Sequence, residues 1–185
     1  MKNPKYEIIH DDSIEIGDNN RKVYRVKALK NFTTFALDED GKVYAKHIEA
    51  GDLGGYIEKE ENLSQFDKAW VDVDAVVFSA AVVYGDAYVG PYSMIGGRAR
   101  IYGSAKTYDA AIGGTVQAFG HAKIFRHPKI SGKIILRDHA VVRASDLTSE
   151  DDVYIYRNAM VYHYYGKVEE NIYDHRLCIQ RFKDA

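Results

Sequence analysis

The chain has 185 residues, 46% of them hydrophobic, and a net charge of -2; that length accommodates one or two domains with a buried core. The charge gives no support to a nucleic-acid binder, whose affinity rests on neutralising phosphates, and the single cysteine, Cys178, excludes an intrachain disulfide. No apolar stretch approaches the length of a membrane span, and the polar start of the chain carries no signal-peptide pattern, so a cytoplasmic protein is expected.

Residues 1–66 read as a β-rich N-terminal cap. Ser13–Ile16, a turn over Gly17–Asn20 and Lys22–Val26 predict one β-hairpin. Thr34–Leu37, Asp38–Gly41 and Lys42–Ala45 predict a second, with Gly41 at the end of its turn. Gly51-Asp52-Leu53-Gly54-Gly55-Tyr56-Ile57 follows, glycine-rich enough to allow unusual φ or close backbone approach.

From Ala69 to Val161 the chain counts in sixes. Ala69-Trp70-Val71, Ala75-Val76-Val77, Ala81-Val82-Val83, Ala87-Tyr88-Val89, Ser93-Met94-Ile95, Ala99-Arg100-Ile101 and Ala105-Lys106-Thr107 each begin six residues after the last. The register slips back by one before Ala110-Ala111-Ile112 and slips the other way after Asp146. A fixed short period is the signature of a solenoid. The aliphatic residue of each hexad and the small residue four places later point inward, and the glycines between them mark corners. Three hexads make a triangular coil, so residues 67–161 predict about five coils of a parallel β-helix stacked at about 4.8 Å. Residues 162–185 are expected to close its far end as a short C-terminal cap, since an open edge strand invites another chain.

Stacking residues one coil apart unrolls three outward faces. An aromatic–arginine face carries Tyr84, Arg100, Tyr102, Phe119, Arg137, Tyr154 and Tyr156. A mixed face carries Trp70, Tyr88, Lys106, Lys123 and Phe125, among others. A flat apolar face carries Val76, Phe78, Met94 and Ala111, and such a surface is expected to pack against the N-terminal hairpins or a second copy of the chain. The aromatic–arginine composition is that of interface hot spots, although aromatic ladders also stabilise sheets without any partner.

The hexad resembles that of the hexapeptide-repeat proteins, which form left-handed parallel β-helices. The similarity is closest to YdcK-like transferases and related bacterial and phage proteins, which share a lead-in like Tyr24-Arg25-Val26-Lys27-Ala28-Leu29 and Ala50-Gly51-Asp52-Leu53-Gly54-Gly55-Tyr56-Ile57-Glu58 followed by Asn62-Leu63-Ser64. The fold class it implies is all-β, a left-handed parallel β-helix with caps at both ends. Phage lookalikes imply a host-modulating, counter-defence role and a location in the bacterium's or the infected host's cytoplasm. Hexapeptide acyltransferases use a histidine general base in a cleft between subunits, and related zinc enzymes use three histidines. His121, His127 and His139 hold corner positions here; His121 and His139 lie one coil apart, near 5 Å, whereas His127 lies on a different edge, so no metal site is expected. His175 and Cys178 lack a third partner and read as packing or surface residues.

Two functions remain in view. The first is a non-catalytic interaction protein without a cofactor, whose aromatic–arginine face meets a protein partner, sister subunits of a homo-oligomer, or a small ligand, with no role for nucleic acid or membrane. The second is an acyltransferase with acyl-coenzyme A as donor and His121 or His139 as general base.

Overall fold

The computed structural model describes residues 3–174 and the backbone of 176–178. Both predicted hairpins form. Strand β1 (Tyr6–Ile16) pairs antiparallel with β2 (Arg21–Ala28) across the Gly17–Asn20 turn. Strand β3 (Phe32–Leu37) pairs with β4 (Val43–Ile48) across a turn closed by Gly41 at φ 80°.

The repeat folds as expected, into a parallel β-helix with three sheets. Among the described residues these are nine-, six- and seven-stranded, and they carry the apolar, aromatic–arginine and mixed faces respectively. Each hexad contributes a strand of two to four residues, and the chain then turns a corner into the next sheet. Many corner residues adopt the left-handed region, including Gly85, Gly103 and Gly120 and, in the same column, Asp138 and Arg157. The small corner residues Ala69, Ala75, Ala81, Ala87, Ala99 and Ala105 are fully buried beside the aliphatic Val71, Val77, Val83, Val89, Ile95 and Ile101. One buried polar pair interrupts this core and satisfies itself, Thr107 Oγ1 bonding Ser93 Oγ at 3.0 Å.

The helix is longer than the five coils expected: seven parallel rungs run along the apolar face. Strand β5 (Leu53–Ile57) forms the first, pairing in parallel with Val76–Val77, and Leu63 bridges to Val83. This rung is hidden from the hexad count because Gly55 takes the place of the small Ala or Ser and two extra residues separate Leu63 from Val71. A Cβ on Gly55 would collide with the carbonyl oxygens of Asp72 and Ala75, so only glycine lets the lead-in backbone close onto the next coil. At the far end Tyr165–Lys167, Ile172–Tyr173 and Arg176–Cys178 extend the three sheets. The side chains of His175 and Cys178 lie outside the described residues, as does the end of the expected C-terminal cap.

The hairpins are placed differently from one another. Strands β1 and β2 continue the apolar face's sheet through β5 and blunt its first edge. The β3–β4 hairpin lies across the mixed face, where Trp70 and Tyr88 become fully buried and Phe32 meets Trp70 edge-on at 5.5 Å. Three contacts fasten it. Lys46 on β4 and the Tyr88 hydroxyl both bond the buried carboxylate of Asp72. Lys123 Nζ donates to Gly41 O at 2.9 Å, and Arg126 bonds Glu39 O and the Asp40 carboxylate. At the chain's start, buried Lys5 donates to Asp67 O and Ala69 O between the rings of Tyr6 and Phe32. Among the described residues no helix is long and apolar enough to cross a membrane.

Candidate interaction face and corner cleft

The apolar face is covered only at its start. Val76 is buried against Val23 and Tyr56, and Phe78 is half-buried beside them with the Arg21 guanidinium over its ring. Met94 and Ala111 stay exposed and border a shallow groove with Ile112 and Ile130. The hairpin expected over them sits on the mixed face instead. The physical reason is size: Trp70 and Tyr88 present far more apolar area than Met94, Ala111 and the glycines beside them, so covering the mixed face removes more surface from water.

On the aromatic–arginine face the predicted column forms in register. Ile101 pairs with Val83 and Ala118, and Leu136 with Ala118 and Ile155, which aligns the residue that follows each. Tyr84 stacks on Tyr102 at 4.8 Å and 3°, and Tyr102 on Phe119 at 4.8 Å and 13°. The Arg137 guanidinium lies 4.9 Å from the centre of the Tyr156 ring. Tyr173, which sequence reasoning left out of the column, continues it beyond Tyr156 at 5.7 Å. The neighbouring column aligns Val82, Arg100, Gln117, Ile135 and Tyr154, of which Arg100 and Tyr154 are exposed.

This stacking decides what the face can offer. Rings stacked rung on rung give their π-faces to one another and turn their edges and hydroxyls outward. A sugar or base that binds by lying flat on an aromatic ring finds no free ring face along the middle of the ladder. The surface left is broad, flat and half-buried, with arginines beside tyrosines. Burial raises the Tyr102 hydroxyl above the ordinary tyrosine range, with Tyr84 adding to the effect and Arg100 opposing it, so the phenol stays neutral. Arg137 Nε is buried with no hydrogen-bond partner among the described residues; the Asp138 carboxylate lies 4.0 Å away.

His121 and His139 stack at the corner between the aromatic and mixed faces, with ring centres 5.0 Å apart and planes within 8°. Both are exposed, and among the described residues neither imidazole forms a hydrogen bond. A general base needs a third group to fix its tautomer and direction, and this pair has none. His127 sits at another corner, its Nδ1 2.6 Å from the Asp109 carboxylate. The described residues contain no cluster of three metal-ligating side chains.

The corner beside His121 holds a feature absent from the sequence reading. A cleft of about 300 Å³ opens between the β3–β4 hairpin and the mixed face, lined by Phe35, Val43, Asp86, Ser104, Lys106, His121 and Lys123. Its sequence trace is a two-residue spacing repeated on successive coils, Asp86-x-Tyr88, Ser104-x-Lys106 and His121-x-Lys123, but only the docked hairpin turns that spacing into a cleft.

No protein-family model matches this chain, and no curated protein matches it.

Proposed function

We propose that this protein is a non-catalytic interaction protein whose aromatic–arginine face docks a protein partner or sister subunits. The observation that carries the reading is the contrast between faces. The β3–β4 hairpin covers the first coils of the mixed face, whereas the six-stranded sheet keeps Arg100, Tyr102, Phe119, Arg137, Tyr154 and Tyr156 exposed or half-exposed along its length. Arginine and tyrosine on a rigid flat sheet fit a protein surface, because little rotamer freedom remains to be lost on binding.

The acyltransferase reading has one observation in its favour, the stacked His121–His139 pair, and its weakness is the lack of an orienting acceptor. One comparison separates the two. In a Tyr102→Ala/Phe119→Ala double variant, self-association measured by sedimentation velocity, or retention of the partner, is lost, while no release of free coenzyme thiol from acyl-coenzyme A is expected from wild type or variant. Thiol release by the wild type that disappears in a His121→Ala/His139→Ala double variant overturns the interaction reading.

A further inference from the structure

The mixed face places two lysines in direct register. Lys106 and Lys123 are paired residues on adjacent parallel strands, the arrangement in which like charges oppose each other and destabilise a sheet. Lys106 is only 5% exposed. A lysine ammonium offers three donors, yet among the described residues Lys106 Nζ has one bond, to Ser104 O at 3.1 Å. Lys123 Nζ has one, to Gly41 O at 2.9 Å. Neither lysine forms an ion pair with a carboxylate among the described residues. Burial pulls the Lys106 ammonium down to about 8, Asp86 opposes the shift and Lys123 adds to it. Two cations are thus held side by side under a hairpin with uncommitted donors, an arrangement that buried charge avoids unless something neutralises it.

The space they border is the corner cleft. Ser104 and His121 supply a hydroxyl and an imidazole on its polar side, and Phe35 and Val43, both exposed apolar residues of the hairpin, form the opposite wall. Asp86, also on the lining, is exposed and carries the single opposing charge. We propose that this cleft is a binding site for a small ligand bearing a tetrahedral oxyanion, a phosphate or phosphomonoester, with the oxyanion held by Lys106, Lys123 and His121 and the apolar part of the ligand resting on Phe35 and Val43. A dianion answers two adjacent ammonium groups better than a single carboxylate charge does, and a mostly apolar, half-enclosed cleft strengthens the attraction. The site is separate from the aromatic–arginine face, and neither reading depends on the other.

The test titrates the full chain with inorganic phosphate at fixed ionic strength, balanced with sodium chloride, and follows backbone amide shifts by NMR. A parallel arm uses acetate. Saturating shifts are expected at Phe35, Val43, Ser104, Lys106 and His121, with phosphate binding tighter than acetate. Lys106→Met and Lys123→Met, which keep the aliphatic stems, are each expected to raise the dissociation constant at least tenfold, as loss of a charge-assisted bond implies. Lys129→Met, at an exposed lysine of the apolar face, is expected to leave it unchanged. Shifts that do not saturate or lie outside the cleft, acetate binding as tight as phosphate, or equal weakening by all three substitutions would overturn the proposal. Should a lysine variant fail to fold, the wild-type shift map and the acetate comparison decide it.

Discussion

Asp72 is the point where the β3–β4 hairpin is locked to the helix, and Asp72→Ala tests that lock. Its side chain accepts from the Tyr88 hydroxyl, from Lys46 and from Val73 N at 2.9 Å, and it is almost wholly buried. Removing the carboxylate leaves the Tyr88 hydroxyl without an acceptor under the hairpin, a cost of about 1–3 kcal/mol. Lys46 is nearly one-third exposed at its side chain and recovers water, so its share is about 0–1 kcal/mol. Together these predict a loss of roughly 1–4 kcal/mol in urea unfolding, with the slope unchanged. The sharper half of the prediction is a rescue. Tyr88→Phe in the Asp72→Ala background removes the orphaned hydroxyl and is expected to restore most of its share. Amide exchange should show β3 and β4 opening first in the single variant. A loss below about 1 kcal/mol, or a double variant no more stable than Asp72→Ala alone, would refute the reasoning.

Three further outcomes follow from the same contacts. Lys5 and Lys106 are both pulled down to about 8 by burial, so between about pH 8 and pH 10 the unfolded chain holds more protons and stability rises with pH. Above about pH 10 the trend reverses, because burial keeps the Tyr6 and Tyr88 hydroxyls protonated in the fold while they ionise in the unfolded chain. Unfolding curves across this range check both signs, and Lys5→Met should flatten part of the rise. Gly55→Ala is expected to cost at least about 3 kcal/mol, because its Cβ meets backbone oxygens that cannot move aside. Tyr102→Ala removes two stacked contacts and is expected to cost about 1–3 kcal/mol in thermal or urea unfolding.

The β-helix was legible in the sequence because one local rule, small residue then aliphatic, repeats on every coil, and the repeat fixes which side chains share a column. The Tyr84–Tyr102–Phe119 ladder and the His121–His139 pair therefore emerged from arithmetic alone. The first rung was not legible, since Gly55 stands for the small Ala or Ser of the hexad and the step from Leu63 to Val71 is eight residues rather than six, which detaches Ile57 and Leu63 from the repeat. The docking of the β3–β4 hairpin was not legible either. It depends on Asp72 meeting Tyr88 and Lys46, sixteen and twenty-six residues away, and on which face presents the largest area to cover. Without that docking, Lys106 and Lys123 read as surface lysines and the cleft beside them does not exist.

The most direct test of the interaction reading is site-directed photocrosslinking in cells producing the protein, with the photoreactive residue at Arg100 on the aromatic–arginine face or at Lys133 as an exposed control. A discrete protein adduct, to a partner or to a second copy, is predicted from position 100 and not from position 133, and it should vanish when Tyr102→Ala and Phe119→Ala are added. No adduct from position 100, or one that survives loss of the ladder, would contradict the account.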